Sequence, residues 1–368
     1  MSEHTITQPQ TDPAKIIDAH GVPGRVPWKA VAAYLLIAFA GAWLATISLW
    51  TSGMDLSTAD PGSFATQTLM MMYTPTIAAL VAVFAIQRPD RPLRMLGLVI
   101  RPVGRTIAYL LLAAVAPTVL AIAGSWIAGL LGAFPMDAAR QGFLLEQWQL
   151  LAPGMELDAP TATWMTLFQT LTIAIPMSTL AAFGEELGWR GFLLSALRPL
   201  GRWPMLAIST VVWGLWHAPL ILLGYNFADR TPMGLVYMVL FCLTVGLTIS
   251  WLRIRSESVF PSAVAHGAVN ATATLGILLL AAGGTTLDSM TLFSIWPVWA
   301  LHLLVFGILF ATSLGRSPKA QEHRLGGPTH HAPDDLDEDA RSMAHVREAG
   351  HDPVATAEEL PRGAEAGS

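Results

Sequence analysis

Eight stretches of the sequence are apolar and long enough to cross a lipid bilayer, and they constrain the fold more than any other feature. A helix needs about 20 apolar residues for this. In lipid, every backbone N–H and C=O must be hydrogen-bonded within the protein, and windows of this length satisfy that as helices. We therefore expect an all-α polytopic membrane helix bundle with about eight transmembrane helices. The windows are Trp28–Trp50, Phe64–Gln87, Thr106–Gly132, Thr163–Phe183 with a continuation to Arg198, Trp203–Gly224, Thr231–Leu252, Ser258–Leu280 and Thr291–Leu314.

The composition agrees with a lipid environment and excludes several other classes. Only 13% of the 368 residues are charged, against about 25% in soluble domains. No basic stripe indicates a nucleic-acid partner. Cys242 is the only cysteine, so an intrachain disulfide and a cysteine-rich metal cage are both excluded. Met1–Val26 is polar, lacks an apolar core and does not have the pattern of a cleaved signal peptide.

The changes in composition along the chain divide it into five segments. The last one is acidic and rich in histidine, with almost no large apolar residues, so we expect a disordered cytoplasmic tail. Its histidines could bind metal adventitiously, but a solvated tail is the favoured interpretation. The segments are a polar N-terminal segment (1–27), N-terminal transmembrane helices (28–162), a catalytic core (163–281), the last transmembrane helix (282–315) and the tail (316–368).

Basic residues in the short connections predict the orientation of the bundle. With eight spans, all the arginine-rich connections fall on one side, and the other side carries mostly acids. Because basic loops stay in the cytoplasm, we expect an integral protein of the cell membrane with both termini cytoplasmic. The basic residues are Arg88, Arg91, Arg94, Arg101 and Arg105 after span two, Arg198 and Arg202 after span four, Arg253 and Arg255 after span six, and Arg316, Lys319 and Arg324 after span eight.

Three charged residues interrupt the fourth apolar window. Glu185, Glu186 and Arg190 are the only formally charged residues between Thr163 and Leu197. Each charge costs about 2.5–3.5 kcal/mol at the centre of a membrane helix. Glu186 and Arg190 are spaced i, i+4 with the acid first, which favours an ion pair. Glu185 is about 100° away around the helix, so we expect it to face a cavity and act as a general base.

The alternative for this cluster is a buried ionic group without chemistry. Two further groups bear on the choice. His217 lies in the fifth window, and His266 and Asn270 are spaced i, i+4 in the seventh, so both share one helical face. An asparagine amide can hold a developing oxyanion. Taken alone, His217 is as compatible with packing as with function, and for His302 in the last window we expect a structural role.

The predicted depth of these groups suggests that they meet. Glu185, His217 and His266 lie about 17–21 Å from the cytoplasmic ends of their helices, at 1.5 Å per residue. Gly184 and Gly188 form a small-xxx-small pair that lets another helix approach closely, and Gly191 and Gly267 could do the same. Pro176 and Gly184 are expected kink sites. A Glu/His/His/Asn set can activate water with or without zinc.

The order of these motifs resembles the CPBP superfamily, which comprises the type II CAAX prenyl endopeptidases and the bacteriocin-immunity Abi proteins. The resemblance covers about Thr163–Leu280 and consists of EExxxR (Glu185, Glu186, Arg190), aromatic-xxx-His (Trp213, His217) and HxxxN (His266, Asn270). One departure is Trp213, where the family commonly has phenylalanine; by itself this looks conservative.

The resemblance implies an intramembrane endopeptidase with a water-filled cavity open to the cytosol. In that family pattern Glu185 activates water, Glu186 is held with Arg190, and Asn270 stabilises the oxyanion. His217 and His266 bind water or a metal, which makes Glu185, His217 and His266 the expected Zn²⁺ ligands. A metal-independent glutamate mechanism is the alternative, since the chain has no HExxH helix. The expected partners are the lipid bilayer and a membrane-associated protein or peptide, with prenylated CAAX substrates as one class.

Two other functions are compatible with the sequence. A non-catalytic membrane binding or immunity protein could use the same fold, and it would keep its phenotype without the Glu185 carboxylate. A proton-coupled transporter could use intramembrane Glu and His as a relay. The transporter ranks last because the polar residues do not recur in two halves of the chain, as an inverted repeat would require.

Overall fold

The computed structural model describes residues 12–52, 60–273, 275–282 and 296–314. Within these ranges the chain is helical, and its β-structure is limited to isolated bridges, Ile17 with Pro23 and Met136 with Leu280. The all-α architecture expected from the sequence is therefore confirmed. The predicted tail (316–368) and the beginning of the last predicted span (291–295) lie outside the described residues, as do residues 1–11 of the polar N-terminal segment.

The helices agree with the apolar windows, with several changes of pitch inside them. In chain order they are α1 (Trp28–Ala45), α2 (Ile47–Thr51), α3 (Pro61–Leu80) with a π-helical end (Val81–Gln87), α4 (Pro92–Met95), α5 (Val103–Leu130), α6 (Gly142–Leu151), α7 (Ala159–Gln169), a π-helical turn (Thr170–Ala174), α8 (Ile175–Glu186), a second π-helical turn (Leu187–Leu193), α9 (Leu194–Leu197), a 3₁₀ turn (Arg198–Leu200), α10 (Arg202–Trp216), α11 (Ala218–Ile221), α12 (Pro232–Ser256), α13 (Phe260–Ala271), a 3₁₀ turn (Leu275–Leu279) and α14 (Trp296–Leu314).

Five helical segments of the described chain are long and apolar enough to cross a membrane. The other three windows contain shorter helices: α10 has 15 residues and α13 has 12, and α14 is apolar over Trp296–Thr312. The polytopic membrane bundle is thus confirmed, while the count of eight spans stays a prediction. The five long segments are Trp28–Ala45, Pro61–Gln87, Val103–Leu130, Ala159–Leu200 and Pro232–Ser256.

Many large apolar side chains point outwards from the bundle. Leu36 on α1, Leu111 on α5 and Leu180 on α8 are each more than half exposed. A soluble monomer rarely exposes large contiguous apolar patches, whereas apolar side chains on the outside of a membrane protein contact lipid tails. The outward faces therefore agree with the membrane environment predicted from composition.

The segment from α7 to α9 changes pitch twice, and only one change lies where a kink was expected. The first π-helical turn ends at Ala174, two residues before Pro176. Proline has no N–H to continue the α-helical hydrogen bonds, which accounts for a change of pitch here. Gly184 lies within regular α8 instead, and the second turn begins three residues later, at Leu187.

Close approach between helices depends on the glycines singled out in the sequence. α8 packs most extensively on α13 and also contacts α3. A Cβ at Gly267 would lie 2.5 Å from the backbone nitrogen of Thr179, and one at Gly188 would lie 2.5 Å from Pro75 Cβ. Since real Cβ atoms do not come this close to another helix, the expected role of Gly188 and Gly267 in helix packing is confirmed.

The basic connections meet at one end of the bundle. Arg105 Nη2 donates to the carbonyl oxygen of Arg255 at 2.7 Å, and Arg101 pairs with Glu257. Arg198 Nη1 donates to the carbonyl oxygen of His20 at 3.1 Å. The connections after the second, fourth and sixth windows thus lie on the same side, as the charge pattern requires. The connection after the last window lies outside the described residues.

The polar N-terminal segment packs onto this same end. Gln87 Nε2 donates to the carbonyl oxygen of Ala14 at 2.6 Å, and Asp90 accepts a hydrogen bond from the backbone N–H of Ile17 at 2.9 Å. Ile17 and Val22 are both buried. The sequence shows a polar segment without an apolar core of its own, and the structure attaches it to the bundle through these hydrogen bonds and buried side chains.

Candidate functional site

The charged cluster lies at the junction between α8 and the second π-helical turn. Glu186 and Arg190 are fully buried, and their side chains are joined by a hydrogen bond of 2.7 Å between Arg190 Nη1 and Glu186 Oε1. This is the i, i+4 ion pair predicted from the spacing. Glu185 is 2% exposed and makes no bond to Arg190 in the described structure, so the two acids have different environments.

His266 on α13 reaches the carboxylate of Glu186. Its Nδ1 lies 2.9 Å from Glu186 Oε1, the oxygen that also accepts from Arg190. A carboxylate only accepts, so Nδ1 carries a proton, and in the neutral tautomer with this proton Nε2 is the acceptor. Glu186 therefore orients His266 as well as Arg190. The close packing of α13 on α8 at Gly267 makes this contact possible.

Trp213 on α10 contacts both Glu185 and Arg190. Its indole Nε1–H donates to Glu185 Oε2 at 2.8 Å. The guanidinium carbon of Arg190 lies 4.1 Å from the ring centroid, within range of a cation–π interaction. The ring also meets His266 edge to face, with centroids 5.2 Å apart. Trp213 thus lies between the acid, the cation and an imidazole.

His217 lies where α10 ends, one turn after Trp213. Its Nδ1 is 2.8 Å from the carbonyl oxygen of Trp213. The last carbonyl groups of a helix have no partner within that helix, so this side chain caps one of them. A carbonyl only accepts, so Nδ1 again carries the proton and Nε2 is left with its lone pair. His217 is half-buried, and its ring contacts both Trp213 and Trp216.

Asn270 lies one turn after His266 on α13 and is half-buried. It shares the helical face of His266, as the spacing predicted. The other histidine considered from the sequence, His302, lies apart from this set: its Nδ1 is 3.0 Å from Thr248 Oγ1 on α12, which agrees with a structural role.

The donor set fits a metal ion only in part. His217 and His266 are both held through Nδ1, and a hydrogen bond at the nitrogen that does not face the metal is what orients metal-ligating histidines. Among the described residues, however, no three side chains of the His, Cys, Asp and Glu types are placed so as to hold a metal ion together. The zinc ligands expected from the resemblance, Glu185, His217 and His266, therefore stay a prediction, and we route no chemical step through zinc.

Arg253 is a residue that sequence reasoning placed in a connection and that the structure places inside the protein. It lies in the last turn of α12 and is 2% exposed. Its Nε donates to the backbone carbonyl oxygen of Arg190 at 3.1 Å, and its Nη2 donates to Ser195 Oγ at 3.2 Å. The guanidinium fills space left by Gly97, whose φ is +70°. Arg253 thus supports the π-helical turn that carries Arg190.

Tyr225 is a second residue that the sequence did not indicate. It lies in the connection between α11 and α12, half-buried, with its ring against Phe64 at a centroid distance of 5.4 Å. Burial raises the pKa of the Tyr225 phenol, and the negative charge of Glu185 raises it further. The charge of Glu185 therefore acts on the Tyr225 phenol, although no hydrogen bond joins the two side chains in the described structure.

The fold and the site together define a polytopic membrane protein whose buried acids and imidazoles converge from three helices. The comparison with known families agrees: residues 166–272 match the family model described as type II CAAX prenyl endopeptidase Rce1-like. The match covers under a third of the chain and falls on the segment whose motifs resemble the CPBP superfamily.

A curated protein shows the same relationship. The chain is 29% identical over 99 residues to CAAX prenyl protease 2 of Methanococcus maripaludis. The aligned part is 25% of this chain and 36% of the relative. The alignment thus covers about a third of the relative's length and leaves the rest of both chains uncompared.

Proposed function

We propose that the chain is an intramembrane endopeptidase that hydrolyses a peptide bond in a membrane-associated protein or peptide. The observation that carries the proposal is the burial and hydrogen bonding of the Glu185 carboxylate. Its carboxylate is buried, Oε2 is held by Trp213, and no side chain or backbone group of the described residues donates to Oε1. A carboxylate fixed through one oxygen, with the other left for water, is arranged as a general base.

In the proposed mechanism Glu185 Oε1 takes a proton from a water molecule as the water oxygen attacks the scissile carbonyl carbon. The Nε2 atoms of His217 and His266 orient that water, because their Nδ1 atoms are already engaged. The carbonyl oxygen becomes an oxyanion, and the amide of Asn270 donates to it. Glu185 then returns the proton to the leaving nitrogen as the C–N bond breaks, and the carboxylate is regenerated.

Glu186 and Arg190 take no proton in this mechanism. Glu186 Oε1 accepts from both Arg190 and His266, so it fixes the imidazole relative to α8. The proposal also has a zinc-assisted version. In that version His217, His266 and Glu185 would hold the ion, which would polarise the substrate carbonyl as a Lewis acid. The experiment below separates the two versions.

The substrate class follows the family match. We propose a prenylated CAAX-type peptide as the first substrate to test. Purified protein is incubated with a farnesylated CAAX peptide, and the cleavage products are identified and quantified by mass spectrometry. Glu185→Gln should lower the rate at least 100-fold, in the range of general-base catalysis. Glu156→Gln, an exposed acid between α6 and α7, is the matched control.

Two outcomes would redirect the proposal. A Glu185→Gln rate within twofold of wild type would exclude the general-base role. No cleavage of the prenylated peptide moves the question to other substrates, which are sought by comparing protein termini in membranes from cells with wild type and with Glu185→Ala. No difference in termini at equal expression would favour the non-catalytic binding or immunity protein instead.

The zinc-assisted version is tested on the same preparation. Metal content and chelator sensitivity are measured for the full chain in which the histidines of the tail are replaced by alanine, so that metal bound there is not counted. Stoichiometric zinc and loss of activity on chelation would support metal assistance. Full activity at negligible zinc would support the glutamate mechanism alone.

We also propose that the protein lies in the cell membrane with the N-terminal segment and the basic connections in the cytoplasm. The supporting observation is that three basic connections meet at one end of the bundle, as described above, and basic loops remain cytoplasmic. Reporter fusions after Arg101 and after Ala138, on opposite sides of α5, should report cytoplasm and exterior respectively. The reverse pattern would overturn the orientation.

A further inference from the structure

Trp213 contacts two side chains of opposite charge, each with a different part of its ring. An aromatic ring is negative on its face and positive at its edge. The face of Trp213 lies against the Arg190 guanidinium at 4.1 Å, and the edge donates an N–H to Glu185 Oε2 at 2.8 Å. Each charge meets the part of the ring that stabilises it. The ring is 1% exposed, so both contacts are shielded from water.

The N–H contact requires a ring that carries a hydrogen-bond donor. A phenylalanine at this position would keep an aromatic face for Arg190 but would have no donor for Glu185. The aromatic position before the histidine is commonly phenylalanine in the resembling family, so this chain has an additional hydrogen bond at its general base. A substitution that looked conservative in the sequence therefore changes the chemistry of the site.

The remaining contacts show what the hydrogen bond does to the carboxylate. The Glu185 side chain accepts a single hydrogen bond in the described structure, the one from Trp213. Without it, the carboxylate could rotate towards the guanidinium of Arg190, whose Nε and Nη2 make no hydrogen bond to the described residues. The indole therefore both fixes the carboxylate and separates it from the cation behind the ring.

We infer that Trp213 is a positioning residue of this site: its indole N–H holds Glu185 with Oε1 towards the attacking water, while its face holds Arg190 on Glu186. The inference rests on the proposed function for its kinetic part and on geometry alone for its structural part. The aromatic residue of the aromatic-xxx-His motif therefore orients the carboxylate of the general base in addition to packing against its neighbours.

The kinetic test is Trp213→Phe, which removes the N–H and keeps the face. The kcat for the cleaved peptide should fall about tenfold with little change in KM, because a charge-assisted hydrogen bond is lost at the base and not at the substrate. Trp213→His, which retains a ring N–H, should recover part of kcat. The control is Trp148→Phe, which removes an indole bond to Thr166 Oγ1 far from the site along the chain. Equal kcat for wild type and Trp213→Phe would overturn the inference.

The second measurement needs no activity. Unfolding is followed by the reaction of a thiol probe with Cys242, the only cysteine and a buried one. Trp213→Phe should lower the unfolding midpoint more in wild type than in a Glu185→Ala background, because lost packing is common to both and the hydrogen bond is not; Trp148→Phe should act equally in both. Equal effects of Trp213→Phe in both backgrounds would show that the bond does not exist. If wild type cleaves nothing, the proposed function fails and this measurement still decides the role of Trp213.

Discussion

The buried pair of Glu186 and Arg190 gives the sharpest test of how the site is held together. Removing one partner of a buried ion pair leaves the other charge uncompensated, at a cost of about 3–5 kcal/mol. Both side chains here are fully buried, and Glu186 would keep only the bond from His266. We expect Arg190→Met, which keeps much of the length of the side chain without its charge, to destabilise the protein by that amount.

The same geometry predicts that removing both charges costs much less. Arg190 Nε and Nη2 and Glu186 Oε2 make no hydrogen bonds to the described residues, so the pair is incompletely satisfied. Such a pair contributes little net stability, because the desolvation of the two ions offsets their attraction. Glu186→Gln combined with Arg190→Met should therefore recover most of the loss, since the amide oxygen of the introduced glutamine would still accept from His266.

Reactivity of the Cys242 thiol on heating measures these changes in detergent. At roughly 2–4 °C per kcal/mol, Arg190→Met should lower the unfolding midpoint by about 6–20 °C. The double variant should melt close to wild type, and Arg140→Met, in an exposed connection, should not differ from it. If the double variant were no more stable than Arg190→Met, the reasoning from an unpaired buried charge would be refuted.

Three further changes test other parts of the structure. Gly267→Ala should destabilise by about 1–3 kcal/mol through overpacking, because its Cβ would meet the Thr179 backbone; Gly307→Ala, with open space around it, should be neutral in the same thermal assay. Tyr34→Phe should be neutral or stabilise by about 1 kcal/mol in that assay, since the buried hydroxyl makes no hydrogen bond to the described residues. Asp158 caps α7, and hydrogen bonds from Thr161 lower the pKa of its carboxyl group. The stability that this cap contributes is therefore fully present above the ordinary pKa of an aspartate, and it is lost as the pH falls through the lowered pKa. Protection of the α7 amides from hydrogen exchange should differ between wild type and Asp158→Ala near neutrality and converge in acid.

The features that sequence predicted well are those that depend on local spacing. The i, i+4 separation is enough to predict the Glu186–Arg190 pair, because the neighbouring turns of a helix bring these side chains together whatever surrounds them. The depth estimate brought His266 to the charged cluster, and the structure places its Nδ1 on Glu186. The glycines at helix contacts were also recognisable, since a missing side chain on a membrane helix commonly marks close packing.

The features that sequence missed depend on rotation of one helix relative to another. Nothing local distinguishes Arg253, which supports the turn of Arg190, from Arg255 two residues later. Likewise the indole N–H of Trp213 reaches Glu185 only because α10 presents that edge to α8. An interhelical contact of this kind is set by the summed packing of the bundle, so it has no signature in the residues flanking either partner.

Two residues of the candidate site lie where a helix changes pitch or ends, and the backbone there explains how their side chains are held. A regular α-helix satisfies its own polar groups and points side chains at fixed angles. The ends and changes of pitch release both constraints: Arg190 lies in a π-helical turn, and His217 lies at the end of α10, where the carbonyl of Trp213 is available to fix its ring. Such breaks recur at functional sites, and inside a membrane each released polar group needs a partner. Here side chains at the candidate site supply these partners, with His217 on Trp213 and Arg253 on Arg190. The irregular backbone and the buried polar residues thus stabilise each other. Replacing these side chains with apolar ones would leave backbone carbonyl groups without partners and would favour a regular helix instead.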